Sequence, residues 1–233
     1  MSLKLLIIDQ CSNSKRESEL PDSVDPSLSR EELVEHDDVP AYKAHDLYEG
    51  RQQRYISSAI DRLRENGDKV ERVFISAGYG VVGEDDLLPP YDATFSGLPE
   101  SEILKRSSEL GIQEDLLDTA TPDETYDVIF FALGKEYYQS IDMTTVIAEI
   151  PDSTKVVIFN GVVSKDKSQN LVSIPARNEE AKEQGTIVVA LKGRYLQNFA
   201  EHRSKGAEVG DITELKEYCI TRPTKQSDFE GYD

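Results

Sequence analysis

Five short apolar runs punctuate the chain: Leu5-Leu6-Ile7-Ile8, Val73-Phe74-Ile75, Val128-Ile129-Phe130-Phe131, Val156-Val157-Ile158-Phe159 and Ile187-Val188-Val189-Ala190. Each is near-continuously hydrophobic rather than alternating, the pattern of strands covered on both faces in a parallel sheet. Strands are therefore predicted at 4–9, 72–76, 127–133, 155–160 and 186–191. Helical spacing fills the intervals. Tyr55, Ile56, Ala59, Ile60 and Leu63 recur three and four apart before the stop at Asn66-Gly67, predicting a helix over 48–65. Further helices are predicted over 99–117, 136–147, 176–183, 193–202 and 212–218. This alternation predicts one α/β domain over 1–233, three layers deep, with a mostly parallel sheet of about five strands flanked by helices.

Two stretches interrupt the rhythm. Residues 11–46 are rich in Ser, Pro, Asp and Glu and carry no sustained period; they read as a long, partly mobile loop whose 17–46 portion is an acidic insertion. Residues 77–98 hold Gly78, Gly80, Gly83, Pro89, Pro90 and Gly97, which predicts a structured loop instead of a helix or regular strand. A polar loop over 161–174 and a frayed polar tail over 221–233 complete the layout.

Charge changes this picture. The 233 residues carry 26 Lys+Arg against 45 Asp+Glu, a net −19, and residues 17–46 alone contribute −8 from ten acids and two bases. Such a field disfavours a broad basic face for nucleic acid. An acidic, hydrated surface suits a molar-salt cytoplasm, where fields are screened to about 3 Å, so two sources stand open, a halophilic one and an ordinary acidic cytosolic one. No apolar run approaches the roughly 18–20 residues that span a bilayer, and the N-terminus leads directly into a strand. A soluble, cytoplasmic protein without a membrane partner is expected. Cys11 and Cys219 stand far apart with no CxxC or Cys/His cluster, so neither a metal nor another cofactor is expected. With His36, His45 and His202 as the only histidines, acid–base chemistry near neutral pH falls mainly to carboxylates, lysine, tyrosine or cysteine.

Ligands of open α/β sheets bind beyond the carboxyl ends of the strands. There the sequence places Asp9-Gln10-Cys11-Ser12-Asn13-Ser14-Lys15, Ser76-Ala77-Gly78-Tyr79-Gly80, Gly134-Lys135, Asn160-Gly161 and Lys192-Gly193-Arg194. Small residues let backbone N–H groups approach an anion, and lysines neutralise it as point charges. Neither GxxxxGK[ST] nor GxGxxG follows a strand, and Ser76 lacks the preceding glycine of a nucleophile elbow. Lys192 and Arg194 are predicted to open a helix, where paired cations are unfavourable unless an anion compensates. They are therefore phosphate candidates, ahead of Lys165 and Lys167, which read as a solvated loop. Tyr137 and Tyr138 read as packing residues at a helix start. Asn160 either reads a base edge or caps its loop.

Three segments in order resemble the YaaA-like superfamily, over roughly residues 3–100: Asp9 to Lys15 as quoted; His45-Asp46-Leu47-Tyr48-Glu49-Gly50-Arg51-Gln52 opening a helix; and Ile75-Ser76-Ala77-Gly78-Tyr79-Gly80-Val81-Val82 with Leu88-Pro89-Pro90-Tyr91-Asp92-Ala93-Thr94. The acidic stretch before Tyr48 departs from the pattern as an insertion, and Gly78 stands where relatives often carry Lys or Leu. The helix-hairpin-helix segment associated with duplex DNA binding in YaaA proper is lacking. Cys11-Ser12-x-x-Lys15 is also similar to a motif of archaeosine synthase, whose related domain resembles uracil-DNA glycosylases in fold. The resemblance implies a protein that processes a nucleobase or nucleotide or modifies DNA or tRNA, as a metal-independent lyase, glycosylase or transferase. It implies Lys15 as nucleophile or electrostatic stabiliser, Asp9 or Asp92 as its acid/base partner, and Tyr79 or Tyr91 stacked on a base. Cys11, Ser12, Tyr48, Ser76 and Gly80 join these as expected ligand-binding residues. Two alternatives stand beside this reading: a non-catalytic nucleotide or nucleic-acid binding module of stress response or defence, and a protein that engages a partner through residues 17–46.

Overall fold

A computed structural model describes residues 1–25, 28–161 and 169–223. The first half of the chain runs β1 (Lys4–Gln10), α1 (Arg30–Glu35), β2 (Tyr42–Lys43), α2 (Ala44–Leu47), α3 (Arg51–Glu65), β3 (Lys69–Ser76), β4 (Gly80–Gly83), β5 (Leu87–Leu88), α4 (Glu100–Glu109) and α5 (Ile112–Ala120). The second half runs β6 (Val128–Phe131), α6 (Lys135–Gln139), α7 (Met143–Glu149), β7 (Lys155–Phe159), β8 (Leu171–Ile174), α8 (Asn178–Glu183), α9 (Val188–Ser204) and α10 (Ile212–Ile220).

Among the described residues, six strands form one sheet in the order β4-β3-β1-β6-β7-β8, parallel except for β4, which returns antiparallel on β3. Helices cover both faces, so the fold is the expected three-layer α/β arrangement. Successive strand residues divide between the layers. Leu6, Ile8, Phe131 and Ile158 pack with Ile103, Leu116 and Val146 of α4, α5 and α7. Leu5, Ile7, Phe130 and Val157 pack with Ile56, Leu63, Leu196 and Phe199 of α3 and α9. No helix of the described residues is long and apolar enough to cross a membrane.

Several expected elements are corrected. The run at 186–191 is not a strand: Val188 begins α9, and Leu191, Tyr195 and Phe199 continue one buried helical stripe. The fifth parallel strand is instead β8, inside the segment expected to be a polar loop. The stretch 77–98 supplies β4, because Gly80 at φ +74° closes a tight return from Ser76. The helix expected over 99–117 divides into α4 and α5 at Gly111, φ +63°, and that over 136–147 into α6 and α7, where Asp142 caps the new start. Lys192 and Arg194 consequently lie within α9, not at its opening.

The described part of 17–46 is folded. Ser29 and Glu32 form a capping box at the start of α1, and Leu33 is buried against Val24 and Val39. Ala44 N and His45 N donate to Asp86 O and Glu84 O, stitching α2 to the sheet side. Lys165, Lys167 and the tail from residue 224 onward lie outside the described residues.

Candidate functional site

Taken in chain order, the five parallel strands lie across the sheet as 2-1-3-4-5, so the winding direction reverses between β1 and β6. Loops leaving the carboxyl ends of two such strands part toward opposite faces and leave a crevice. A cleft of about 800 Å³ occupies this place. Its walls are the segment after β1, the turn after β6, the end of β7, and the first turns of α3 and α9. On its floor, the Tyr138 hydroxyl donates to Phe131 O (2.8 Å) and accepts from Phe159 N (3.0 Å), bridging β6 and β7 where their ladder ends. The Gln10 carboxamide oxygen accepts from Gly134 N and holds the β6 turn against β1.

The charge of this cleft opposes that of the chain. At a frequency of 45 acids in 233 residues, a lining of 22 residues would hold about four; among the described lining residues there is none. Arg51, Lys135 and Lys192 give it three cations instead. A concave, partly dry site concentrates such a local field even inside a negative protein.

Both long helices that open here do so without a side-chain cap. Gly50 precedes α3 and Ile187 precedes α9, and neither supplies an acceptor to the first N–H groups. The two helices meet closely at Gly193, where a β-carbon would stand 2.7 Å from Gln52 O and 2.8 Å from Tyr55 Cβ. Lys192, the residue before Gly193, lines the cleft together with the first turn of α3. Burial pushes the Lys192 ammonium below the usual lysine range, partly offset by Asp9 and Glu136.

Asp9 is wholly buried beneath α3. Its Oδ2 accepts from Arg72 Nη2 at 2.7 Å, and its Oδ1 from Gln52 Nε2 (2.7 Å), Gln53 Nε2 (3.3 Å) and Gln10 N (2.8 Å). Four donors engage the carboxylate, three of them on Oδ1, so Asp9 holds β1, β3 and α3 together and faces Arg72 rather than Lys15.

Lys15 belongs to a second constellation. Backbone bonds Cys11 N to Ile75 O, Arg16 N to Leu47 O and Glu49 N to Ser14 O staple the segment after β1, and Lys15 pairs with Tyr48 in a one-residue bridge. Lys15 Nζ lies 4.5 Å from the centre of the Tyr91 ring and donates to Ala93 O at 3.3 Å. Burial lowers the Lys15 pKa, with Cys11 and Asp92 opposing the shift. Tyr91 Oη shares hydrogen bonds with Tyr48 Oη (2.8 Å) and Ser76 Oγ (2.9 Å), while Cys11 Sγ meets Tyr137 Oη at 2.9 Å. Burial raises the pKa of Tyr48, Tyr91 and Tyr137, which keeps these phenols protonated, and pushes Tyr79 up to about 12. Tyr79, Tyr91 and Asp92 line a second hollow of about 650 Å³ whose opposite wall is the insertion, through Leu20, Arg30 and Leu33.

The sequence-expected residues thus divide. Cys11, Ser12, Asn160 and Lys192 line the cleft; Tyr79, Tyr91 and Asp92 line the hollow; Lys15 lies against Tyr91 beside that hollow. Tyr48 and Ser76 are buried in the network behind them, with Ser76 Oγ also accepting from Gly78 N and Tyr79 N. Three residues have structural engagements. Gly80 is required by its positive φ and by Leu110 O, which would lie 2.8 Å from a β-carbon. Arg194 packs over the Tyr55 ring at 5.1 Å and lines neither space. Asn160, at φ +56°, uses its amide on both the N–H and the carbonyl of Ala176, the loop-capping alternative. Gln10 and Arg51 were quoted from sequence without a role, Tyr138 was read as packing and Gln139 was not named; Arg72 could have been singled out, because an arginine opening an apolar strand run needs a buried partner. Set against protein-family models, curated proteins and solved structures, the chain finds no match.

Proposed function

We propose that this protein binds and processes a nucleobase or nucleotide, free or within a nucleic acid, in the cleft between β1 and β6, and does so in the cytoplasm. The observation that carries the reading is the acid-free, cationic lining of that cleft in a chain of net charge −19. Its volume falls in the range of small-molecule sites and suits one nucleotide rather than a duplex. Gln10, Asn13 and Gln139 offer amides along the wall, and Tyr138 with Phe159 offers an aromatic floor. These are the complements of a base edge and a base face. The resemblance of the Cys11 to Lys15 segment to the YaaA-like superfamily points to the same ligand class.

The chemical part of the proposal rests on Lys15. Desolvation enlarges the fraction of free amine, the form that attacks an electrophilic carbon, and Asp92 is the nearby carboxylate able to exchange a proton with it. Lys15→Ala is expected to keep the fold and nucleotide binding while losing turnover. The test is calorimetry with nucleobases, nucleosides and nucleotides at low and high salt, joined to mass spectrometry of compounds that copurify. Absence of any nucleotide or base binding overturns the reading, and unchanged turnover in a folded Lys15→Ala removes Lys15 from it.

One observation favours the non-catalytic reading. Lys15 Nζ is held by Tyr91 and Ala93 on the side of the second hollow, and Lys15 is absent from the cleft lining. Tight binding that leaves the bound compound chemically unaltered would select a binding module.

A further inference from the structure

We infer that the cleft contains a phosphate subsite formed by the Lys192 ammonium together with the uncapped first turns of α3 and α9. The inference deepens the nucleotide reading, on which it rests only for the identity of what carries the phosphate.

The first observation is an unpartnered cation. Lys192 is largely buried, lines the cleft, and among the described residues has no hydrogen-bond or ion-pair partner, in a chain with 45 carboxylate side chains. Asp9 and Glu136 are the carboxylates that act on it through space; Asp9 is engaged by Arg72, Gln52, Gln53 and its neighbour's N–H, and neither carboxylate forms an ion pair with Lys192. Burying an ammonium with no carboxylate in contact is costly, so an anion that reached Lys192 from the cleft would be favoured there. Its pKa is pushed down because burial outweighs the opposing pull of Asp9 and Glu136.

The second observation is independent of Lys192. α3 has 15 residues and α9 has 17, long enough for each to present a developed positive end, and both open on the cleft without a capping side chain. Of the other helices, α7 and α10 are capped by Asp142 and Asp211, each accepting from two N–H groups, while α4 and α5, whose starts lie outside the cleft lining, also begin without a side-chain cap. Lys192, Arg51, Gln52 and Gln53 of the first turn of α3, and Val188 and Val189 of the first turn of α9 all line the same cleft, so the cation and the helix starts face one space. An oxyanion could accept from both the ammonium and the helix-start N–H groups.

The test titrates inorganic phosphate and pyrophosphate into the full chain at constant ionic strength, by calorimetry, alongside nucleoside monophosphates and the corresponding nucleosides. Wild type is expected to bind each phosphate-bearing probe, and Lys192→Gln to weaken that binding about 10- to 100-fold, the worth of one charge-assisted contact. Lys135→Gln, on the exposed rim, should change it only a few-fold. Equal loss in the two variants, or no loss in Lys192→Gln, overturns the subsite. Should Lys192→Gln fail to fold, acetic-anhydride labelling of wild type replaces it: phosphate must suppress acetylation of Lys192, and unchanged labelling at saturation overturns the inference. The two readings separate cleanly. Nucleosides binding as tightly as their monophosphates refutes the subsite and keeps the nucleotide reading, whereas phosphate binding that Lys192→Gln weakens, with no preference for nucleotides, keeps the subsite and refutes that reading.

Discussion

Removing the charge of Asp9 should destabilise this protein more than any surface substitution, without acting on chemistry directly. Arg72 and Asp9 are essentially unexposed, 2.7 Å apart, and Arg72 also donates to Ser57 Oγ (2.9 Å) while lying 4.4 Å from the Phe74 ring. Asp9→Asn leaves a buried guanidinium uncompensated and turns an amide toward the Gln52 and Gln53 donors. Breaking one side of a buried pair costs about 3–5 kcal/mol. Against a total of about 5–15 kcal/mol for a domain, that is a large share of the stability. Deleting both charges in Asp9→Leu/Arg72→Met should recover much of this loss, leaving about 1–3 kcal/mol for the glutamine donors deprived of their acceptor. The assay is urea unfolding followed by circular dichroism for Asp9→Asn and for the cycle of Asp9→Leu, Arg72→Met and their double, at two salt concentrations. A buried pair should show large coupling that salt barely alters, unlike the exposed Lys43–Asp85 pair at 2.8 Å. An Asp9→Asn cost below about 1 kcal/mol, or additivity in the cycle, refutes the reasoning. Loss of turnover at unchanged stability would return Asp9 to the acid/base role expected from sequence.

Other expectations follow from single features. Lys192 has its folded pKa below the ordinary 10.5, so between those two values the unfolded chain binds more protons and stability rises with pH. Below that window the burial penalty is fully present, so Lys192→Met should be more stable than wild type at pH 7, with the gap closing as pH approaches 10.5; urea midpoints at both ends check this, and a constant gap refutes it. Gly193→Ala should cost about 1–3 kcal/mol, since the methyl would press on the Gln52 carbonyl, and a thermal melt unchanged from wild type would show that α3 and α9 yield there. Leu33→Ala should cost about 2 kcal/mol locally and expose 17–46 to protease while the sheet stays protected; uniform cleavage of the whole chain would contradict a separate small core.

The sheet was largely legible because four of its parallel strands are apolar blocks that only a doubly covered sheet buries. The fifth was misplaced for a physical reason. Ile187 to Val189 is β-branched and apolar, yet Val189 is exposed, and the run is the cap and first turn of a helix whose buried face begins at Ala190 and Leu191. The true edge strand offers only Leu171 and Ile174 as buried positions, too few to outweigh its polar neighbours. Candidate chemistry was legible residue by residue, less so as a place. Lys15 and Cys11 are four apart in sequence, but Cys11 lines the cleft while Lys15 turns onto Tyr91. The absence of acids in the cleft has no sequence signature, since the lining comes from separate segments that meet only in the fold.

The sheet closes at each side in a strand of only four residues, β4 and β8. Pro175, directly after β8, has no N–H to extend a ladder, and Gly80 turns the chain sharply where β4 begins. An incoming strand would find little unpaired backbone at either border, which makes cross-β addition between copies unfavourable. In concentrated solution the molecules should therefore meet through side chains, where their common negative charge keeps them apart.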